Sequence, residues 1–102
     1  MANQRQSLGN LQSDVDVIDV QIPMVRVVLY NDDYTTFEFV IDVLIDIFNK
    51  SSREAEQITM NIHKKGSGVA GTYPREIAEM KVIQVRQAAD AAGFPLRAVI
   101  EG

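Results

Sequence analysis

The stretch VVLYNDDYTTFEFV, residues 27–40, contains the transition on which the fold depends. Together with the preceding MVR it begins with β-branched and apolar residues, which predicts a strand buried on at least one face. The strand gives way at Asn31-Asp32-Asp33 to polar residues that are typical of a turn. From Phe37 onward apolar residues recur at helical intervals, so we expect a helix directly after the turn.

Capping signals place the starts of two helices. Thr35 and Glu38 have the spacing of a capping box, and Ser51 and Glu54 repeat it. The second helix should end at Gly66, because glycine accepts the left-handed conformation that terminates helices. Its core-facing stripe is predicted from helical spacing to be Ala55, Ile58, Thr59 and Ile62.

A strand, a helix and a strand follow in the second half of the chain. GSGVAGTY, residues 66–73, and LRAVI, residues 96–100, predict the strands. Pro74 fits the first turn of the intervening helix, which Gly93 should close. This helix is expected to bury a narrow face of small residues: Ala78, Val82, Val85, Ala89 and Ala92. The order β-α-α-β-α-β predicts an α+β domain whose three strands form one sheet with three helices packed on one side.

Composition restricts the class of protein. The chain has 102 residues, no cysteine and a net charge of −4. This length suits one domain, and the acidic balance argues against partners such as nucleic acid or an anionic membrane surface. Without cysteine there is no disulfide framework and no thiolate zinc site. We found no targeting segment at the start of the sequence, so a cytoplasmic location is expected.

The first 22 residues differ in composition from the rest. They are rich in Gln, Asn, Ser and Asp and lack aromatic residues, so we expect residues 1–22 to be a disordered N-terminal extension. Loose alternation in DVDVIDVQIP leaves open that this part pairs as a strand. Residues 23–102 form the predicted domain.

The polar residues after the first strand suggest a binding site. If the first two helices pack side by side, Asn31, Asp32, Asp33 and His63 meet at the rim of an apolar groove. Phe37, Val40, Thr59 and Ile62 would line that groove. An α-ammonium group offers three donors, and carboxamide oxygen, carboxylate and neutral imidazole all accept. The pattern therefore suits a free amino group followed by a large apolar side chain.

Other interpretations of the same residues stay open at this point. Asn31-Asp32-Asp33 can be a turn with hydrogen bonds to its own backbone, and His63 can serve the dipole of a helix end. A metal site of Asp32, Asp33 and His63 would lack a supporting shell of partners, so no metal and no cofactor is expected. An enzyme is not expected either, because Ser51 and Ser52 look like helix caps and no nucleophile elbow is present.

Three segments resemble the ClpS family of bacterial N-degron adaptors: LYNDDYTTFEFVIDVL, IHKKGSGVAGTY and EIAEMKV. The resemblance spans about residues 25–101 in the same order. It implies three antiparallel strands, three helices and no enzymatic activity. Such adaptors bind proteins with Leu, Phe, Tyr or Trp at a free N-terminus and deliver them to a Clp AAA+ unfoldase coupled to the ClpP protease. The implied partner is the N-terminal domain of ClpA or ClpC, and the implied state of this chain is a monomer.

The resemblance also assigns roles to individual residues. It implies that the amine is held by Asn31, Asp32, Asp33 and His63. The implied side-chain pocket consists of Thr35, Phe37, Val40, Thr59, Ile62 and Leu96. The implied unfoldase-docking residues are Tyr34, Glu76 and Lys81. The sequence departs from the family pattern at Phe37 and Thr59, which replace methionines, and at Tyr73-Pro74, where a capping hydroxyl is common.

A second class of function is compatible with the sequence. A protein-interaction domain of similar fold that lacks a pocket for N-terminal residues would not need Asn31, Asp32 or His63 for partner binding.

Overall fold

Three antiparallel strands form one open sheet in the order β2-β1-β3. The strands are β1 (Met24–Tyr30), β2 (Ser67–Pro74) and β3 (Arg97–Glu101). The coordinates are a computed structural model, and the structure describes residues 21–102. Because β1 is the central strand, its end at Tyr30 lies inside the domain and not at an edge of the sheet.

Three helices complete the fold: α1 (Phe37–Asp46), α2 (Ser52–Lys65) and α3 (Arg75–Ala92). The order β-α-α-β-α-β and the three-stranded antiparallel sheet confirm the fold class predicted from the sequence. The two helices α1 and α2 form a hairpin, and α3 crosses all three strands.

Alternation along β1 decides which face of the sheet the helices cover. Val25, Val27 and Leu29 belong to the same buried cluster as the core residues of the helices. Side chains alternate between faces along a strand, so Val28 and Tyr30 point the other way. Val28 is nevertheless only 4% exposed, because it lies between its register partners on β2 and β3.

The first helix begins one residue later than predicted. Thr36 is the N-cap, and its hydroxyl accepts a hydrogen bond from the N–H of Phe39 at 3.2 Å. The predicted capping box of Thr35 and Glu38 is therefore wrong. The cause lies in the preceding turn, where the hydroxyl of Thr35 donates to the carboxylate of Asp32.

The second helix has the predicted boundaries. Ser51 and Glu54 form the capping box, and Gly66 ends the helix with a φ of 91°. Of the predicted stripe, Ala55, Thr59 and Ile62 are buried and Ile58 is partly buried.

In the second half of the chain, the structure differs from the prediction at single residues near the ends of α3 and β3. Pro74 is the N-cap of α3 and not part of its first turn, because its ψ of 149° keeps it in the extended backbone of β2. Ala92 is exposed, since the buried contacts of α3 end one turn earlier at Ala89. Strand β3 begins at Arg97, so Leu96 precedes it.

The predicted N-terminal extension, residues 1–22, lies outside the described residues except for Gln21 and Ile22, which have no regular structure. Within residues 21–102, no helix is long and apolar enough to cross a membrane.

Candidate functional site

A small hollow, partly open to solvent, lies where the end of β1 meets α1 and α2. It brings together all six residues predicted for the side-chain pocket, as well as two of the four residues predicted to hold an amine. The residues that line it are Tyr30, Asn31, Asp32, Thr35, Phe37, Val40, Thr59, Ile62 and Leu96.

The floor of the hollow is apolar and closely packed. Val40, Ile62 and Leu96 are each at most 6% exposed. Thr59 is the only buried polar residue in the described part of the chain. Its hydroxyl donates to the carbonyl of Ala55 at 2.7 Å. The proton of Thr59 is thus used within α2, and toward the hollow its oxygen can act only as an acceptor.

Leu96 reaches the hollow because aromatic packing holds the segment before β3. The rings of Phe39 and Phe94 lie 5.0 Å apart, which joins the start of α1 to this segment. In addition, the N–H of Phe94 donates to the carbonyl of Ala89 at the end of α3. Leu96 is therefore placed by contacts with two helices.

Ile62 stands close to strand β2 because residue 68 is glycine. A β-carbon at Gly68 would lie 2.8 Å from Cγ1 of Ile62, which is shorter than a normal contact. The glycine faces the helices, since its register partner is Leu29 of the buried face. Helix α2 can approach the sheet this closely only because residue 68 has no side chain.

Asp32 organises the turn between β1 and α1. One carboxylate oxygen accepts from the N–H groups of Tyr34 and Thr35, and the other accepts from the hydroxyl of Thr35. Partial burial raises the pKa of Asp32, but the hydrogen bonds from Thr35 and Tyr34 outweigh it, so the pKa lies below its ordinary value. Asp32 thus stays ionised near neutral pH. Three of its roughly four acceptor positions are already used, which leaves about one free.

Asn31 and His63 are brought to the same end of α2. The N–H of Asn31 donates to the carbonyl of Gly66 at 2.9 Å, and His63 lies in the last turn of the helix that Gly66 closes. The His63 ring packs edge-on against the ring of Phe37, with centroids 5.1 Å apart. His63 is exposed and stands beside the mouth of the hollow, outside the set of lining residues.

Asp33 also lies outside the lining set. It is exposed and follows Asp32 directly in the chain. Of the four predicted amine-binding residues, Asn31 and Asp32 therefore line the hollow, while Asp33 and His63 stand beside it.

The predicted docking residues do not form a single cluster. Glu76 and Lys81 lie on α3, which begins after Pro74, the register partner of the first residue of β1. Tyr34, which is 76% exposed, follows the last residue of β1. A seven-residue strand is about 20 Å long, so Tyr34 and Glu76 follow opposite ends of it.

Lys81 has an internal hydrogen bond that the sequence did not indicate. Its Nζ donates to the carbonyl of Ile47 at 2.6 Å, which satisfies the C-terminal end of α1. The same ammonium lies 5.7 Å from the centre of the Tyr73 ring. Lys81 therefore ties α1 to α3 and β2.

Tyr30, the last residue of β1, borders the hollow although its side chain points to the other face of the sheet, and it was absent from the predicted site. Its phenol donates a hydrogen bond to Glu101, and the guanidinium of Arg97 lies over its ring at 4.8 Å. The hydrogen bond to Glu101, with partial burial adding to it, raises the pKa of Tyr30. Its position directly before Asn31 was the only available signal.

The rim holds oxygen and nitrogen acceptors without a metal-binding arrangement. No three His, Asp or Glu side chains within residues 21–102 are grouped so that they could hold a metal ion. The fold and the hollow define a class: small α+β domains with an apolar hollow edged by hydrogen-bond acceptors.

Sequence comparison identifies the particular family within that class. The family model described as "ATP-dependent Clp protease adaptor protein ClpS" matches residues 21–99. The ClpS adapter of Desulforapulum autotrophicum is 54% identical over 79 residues, which cover 78% of this chain and 76% of that protein. The adapter of Nautilia profundicola is 44% identical over 91 residues, covering 89% and 92% of the two chains.

A solved structure has the same fold. The structure of Agrobacterium tumefaciens ClpS2 bound to L-phenylalaninamide is similar with a TM-score of 0.76 and 37% sequence identity. The match covers 79% of this chain and 98% of that one. This chain belongs to the ClpS family, the adaptors of the ATP-dependent Clp protease.

Proposed function

We propose that this chain binds proteins with a bulky hydrophobic residue at a free N-terminus and delivers them to a Clp AAA+ unfoldase coupled to ClpP. The observation that carries the proposal is the apolar hollow that opens directly beside Asn31 and the ionised Asp32. A side chain and an amino group on the same α-carbon require such an arrangement, with apolar walls and acceptors side by side.

The amino group is assigned to the edge formed by Asn31, Asp32 and His63, with Asp33 adding charge from outside. Asp32 has about one acceptor position left after the turn has used three. The carboxamide oxygen of Asn31 and a neutral imidazole nitrogen of His63 can supply two more. Three acceptors match the three donors of an ammonium group.

The first side chain is assigned to the hollow itself. Val40, Ile62 and Leu96 offer only apolar surface, and burying a Leu or Phe side chain contributes about 1.5–3 kcal/mol. The related Agrobacterium protein binds L-phenylalaninamide, a molecule that combines a free amino group with a phenyl side chain. This ligand supports the assignment of the same two groups to the present hollow.

A panel of peptides that differ only in residue 1 tests the proposal. Peptides beginning with Leu, Phe, Tyr or Trp should bind at about micromolar affinity or tighter, and those beginning with Gly, Ser or Asp at least tens-fold more weakly. Fluorescence anisotropy with labelled peptides measures the difference. Equal binding across the panel would favour the alternative of an interaction domain without a pocket for N-terminal residues.

Delivery to the N-terminal domain of a ClpA- or ClpC-type unfoldase is assigned to the exposed start of α3. Glu76 is exposed and makes no hydrogen bond with other described residues, so Glu76→Ala should leave peptide affinity unchanged and slow degradation by the unfoldase and ClpP. Glu79→Ala, an exposed acid on the same helix, is the control. Equal loss in both variants would point to a general charge effect, and lost peptide affinity would show that Glu76 belongs to the hollow.

Lys81 is less suited to such a test, although the family resemblance includes it in the docking surface. Because its ammonium satisfies the carbonyl of Ile47, Lys81→Ala removes a tertiary contact as well as a surface charge. Lost delivery in that variant must be compared with its free energy of unfolding.

Gly68 provides a test of pocket width that does not alter any lining residue. Gly68→Ala would push Ile62 into the hollow, because the new methyl group would lie 2.8 Å from Cγ1 of Ile62. We expect a loss of about 1–3 kcal/mol in stability and a roughly ten-fold weaker binding of Phe-first peptides. Isothermal calorimetry and chemical denaturation measure the two effects.

The matched control is Gly71→Ala on the same strand. Its methyl group would overlap the ring of Tyr73, which is not part of the hollow. This variant should lose stability with unchanged affinity, provided it is measured where it is folded. If both variants keep full affinity, the width of the hollow does not depend on Gly68.

A further inference from the structure

A large apolar side chain is exposed on α2 just outside the hollow. Met60 is 45% exposed and lies three residues before His63. Side chains three apart on a helix are neighbours, with β-carbons about 5–6 Å from each other. His63 in turn contacts the ring of Phe37 at the mouth. The series Phe37, His63, Met60 thus leads from the hollow onto the surface of α2.

An N-terminal peptide whose first side chain fills the hollow must place its second residue near this series. Consecutive α-carbons are about 3.8 Å apart, and successive side chains of an extended chain point in opposite directions. The second side chain therefore lies outside the hollow, within reach of the surface beside the mouth. The exposed residues that follow from this position are Glu38 on α1, directly after Phe37, and Met60 on α2, one turn before His63.

We propose that Met60, together with the adjacent ring of His63, forms a shelf that contacts the second residue of the bound N-terminus and favours an apolar side chain there. This inference rests on the proposed function, because it requires the first residue to occupy the hollow. Methionine suits the role, since its unbranched and polarisable side chain can adapt to bound side chains of different shape. The shelf would add selectivity for residue 2 to the selectivity of the hollow for residue 1.

The test uses the full chain and two peptides that begin with Phe and differ only in residue 2, Leu or Gly. The parent chain should bind the Phe-Leu peptide about five-fold more tightly than the Phe-Gly peptide. Met60→Ala should reduce this ratio to near one while the preference for Phe over Ser at residue 1 remains. Met80→Ala is the matched control, because Met80 is 57% exposed on α3 and lies outside the hollow.

The inference would be overturned by a ratio of one in the parent chain, by a ratio unchanged by Met60→Ala, or by a ratio lowered equally by Met80→Ala. A ratio that responds to Glu38→Ala and not to Met60→Ala would place residue 2 on α1 and also overturn it.

Acetylated versions of both peptides keep this test separate from the proposed function. If acetylation has no effect, the proposed amine recognition fails, whereas an intact acetylation effect with a ratio of one rejects only the shelf.

Discussion

Acetylation of the α-amino group should weaken the binding of a Phe-first peptide by about 100-fold or more. The modification removes the positive charge and two of the three N–H donors. Each charge-assisted hydrogen bond contributes roughly 1.5–3 kcal/mol, and about 1.4 kcal/mol corresponds to a ten-fold change in affinity. The loss of two such bonds is therefore enough to abolish measurable binding at micromolar peptide concentrations.

The structure explains why the loss should be so large. Asp32 keeps its charge, because hydrogen bonds from Thr35 and Tyr34 lower its pKa despite partial burial. At the proposed site, an acetylated amine would leave this carboxylate and the oxygen of Asn31 facing an uncharged group that also carries an extra carbonyl oxygen. The free and acetylated peptides share every side chain, so calorimetry on the pair isolates the amino group.

Asn31→Ala provides the matching change on the protein. It removes one acceptor and keeps the backbone hydrogen bond to Gly66, which depends on the main chain alone. This variant should bind the free peptide roughly ten-fold more weakly than the parent chain does. Its affinity for the acetylated peptide should equal that of the parent chain. Equal affinity of the parent chain for free and acetylated peptides would contradict amine recognition.

Local signals in the sequence were sufficient for most of the fold. The β-branched and apolar run MVRVVLY predicted β1, and the capping box of Ser51 and Glu54 predicted the start of α2. Each of these signals depends on residues within a few positions of one another. The same kind of signal placed the N-cap of α1 at the wrong one of two neighbouring threonines. The hydroxyl of Thr35 donates to Asp32, so Thr36 is the N-cap.

The assembly of the hollow could be derived from helical spacing only in part. Leu96 lies far along the chain from Phe37, and its place beside α1 depends on the ring contact between Phe39 and Phe94. Helical spacing predicted four of the six pocket residues, and family resemblance supplied Thr35 and Leu96; the structure brings all six together. The hydrogen bond from Lys81 to Ile47 spans 34 positions of sequence, and no local pattern predicts such a bond.

Phe37 should make the hollow selective against β-branched first residues. Its ring lines the hollow and is held from outside by the ring of His63, so it has less freedom to move aside than an unbranched methionine. We expect the ring to narrow the mouth, where the β-carbon of a bound first residue would lie. Ile and Val carry two heavy groups on that carbon, so Ile-first and Val-first peptides should bind tens-fold more weakly than Leu-first peptides.

Thr59 lies deeper in the hollow than Phe37, and we expect it to widen the space there, whereas Phe37 narrows the mouth. It is smaller than a methionine, and its hydroxyl already donates to Ala55, so it leaves room and one acceptor at the floor. Leu and Phe should therefore bind best, and the phenol of Tyr can donate to the oxygen of Thr59. We therefore expect the two departures from the family pattern to reshape the hollow without removing it.

Phe37→Ala tests whether the ring at the mouth, which we call the gate, or the floor of the hollow excludes Ile and Val. Removing the ring should admit Ile-first and Val-first peptides, so that their affinities come within about three-fold of the Leu-first peptide. Tyr34→Ala is the control, because Tyr34 is an exposed aromatic residue next to the same turn but outside the hollow. Competition binding with the three peptides measures the ratios in each variant. If Phe37→Ala binds the Leu-first peptide normally and still rejects Ile and Val, the discrimination arises at the floor, and Phe37 is not the gate.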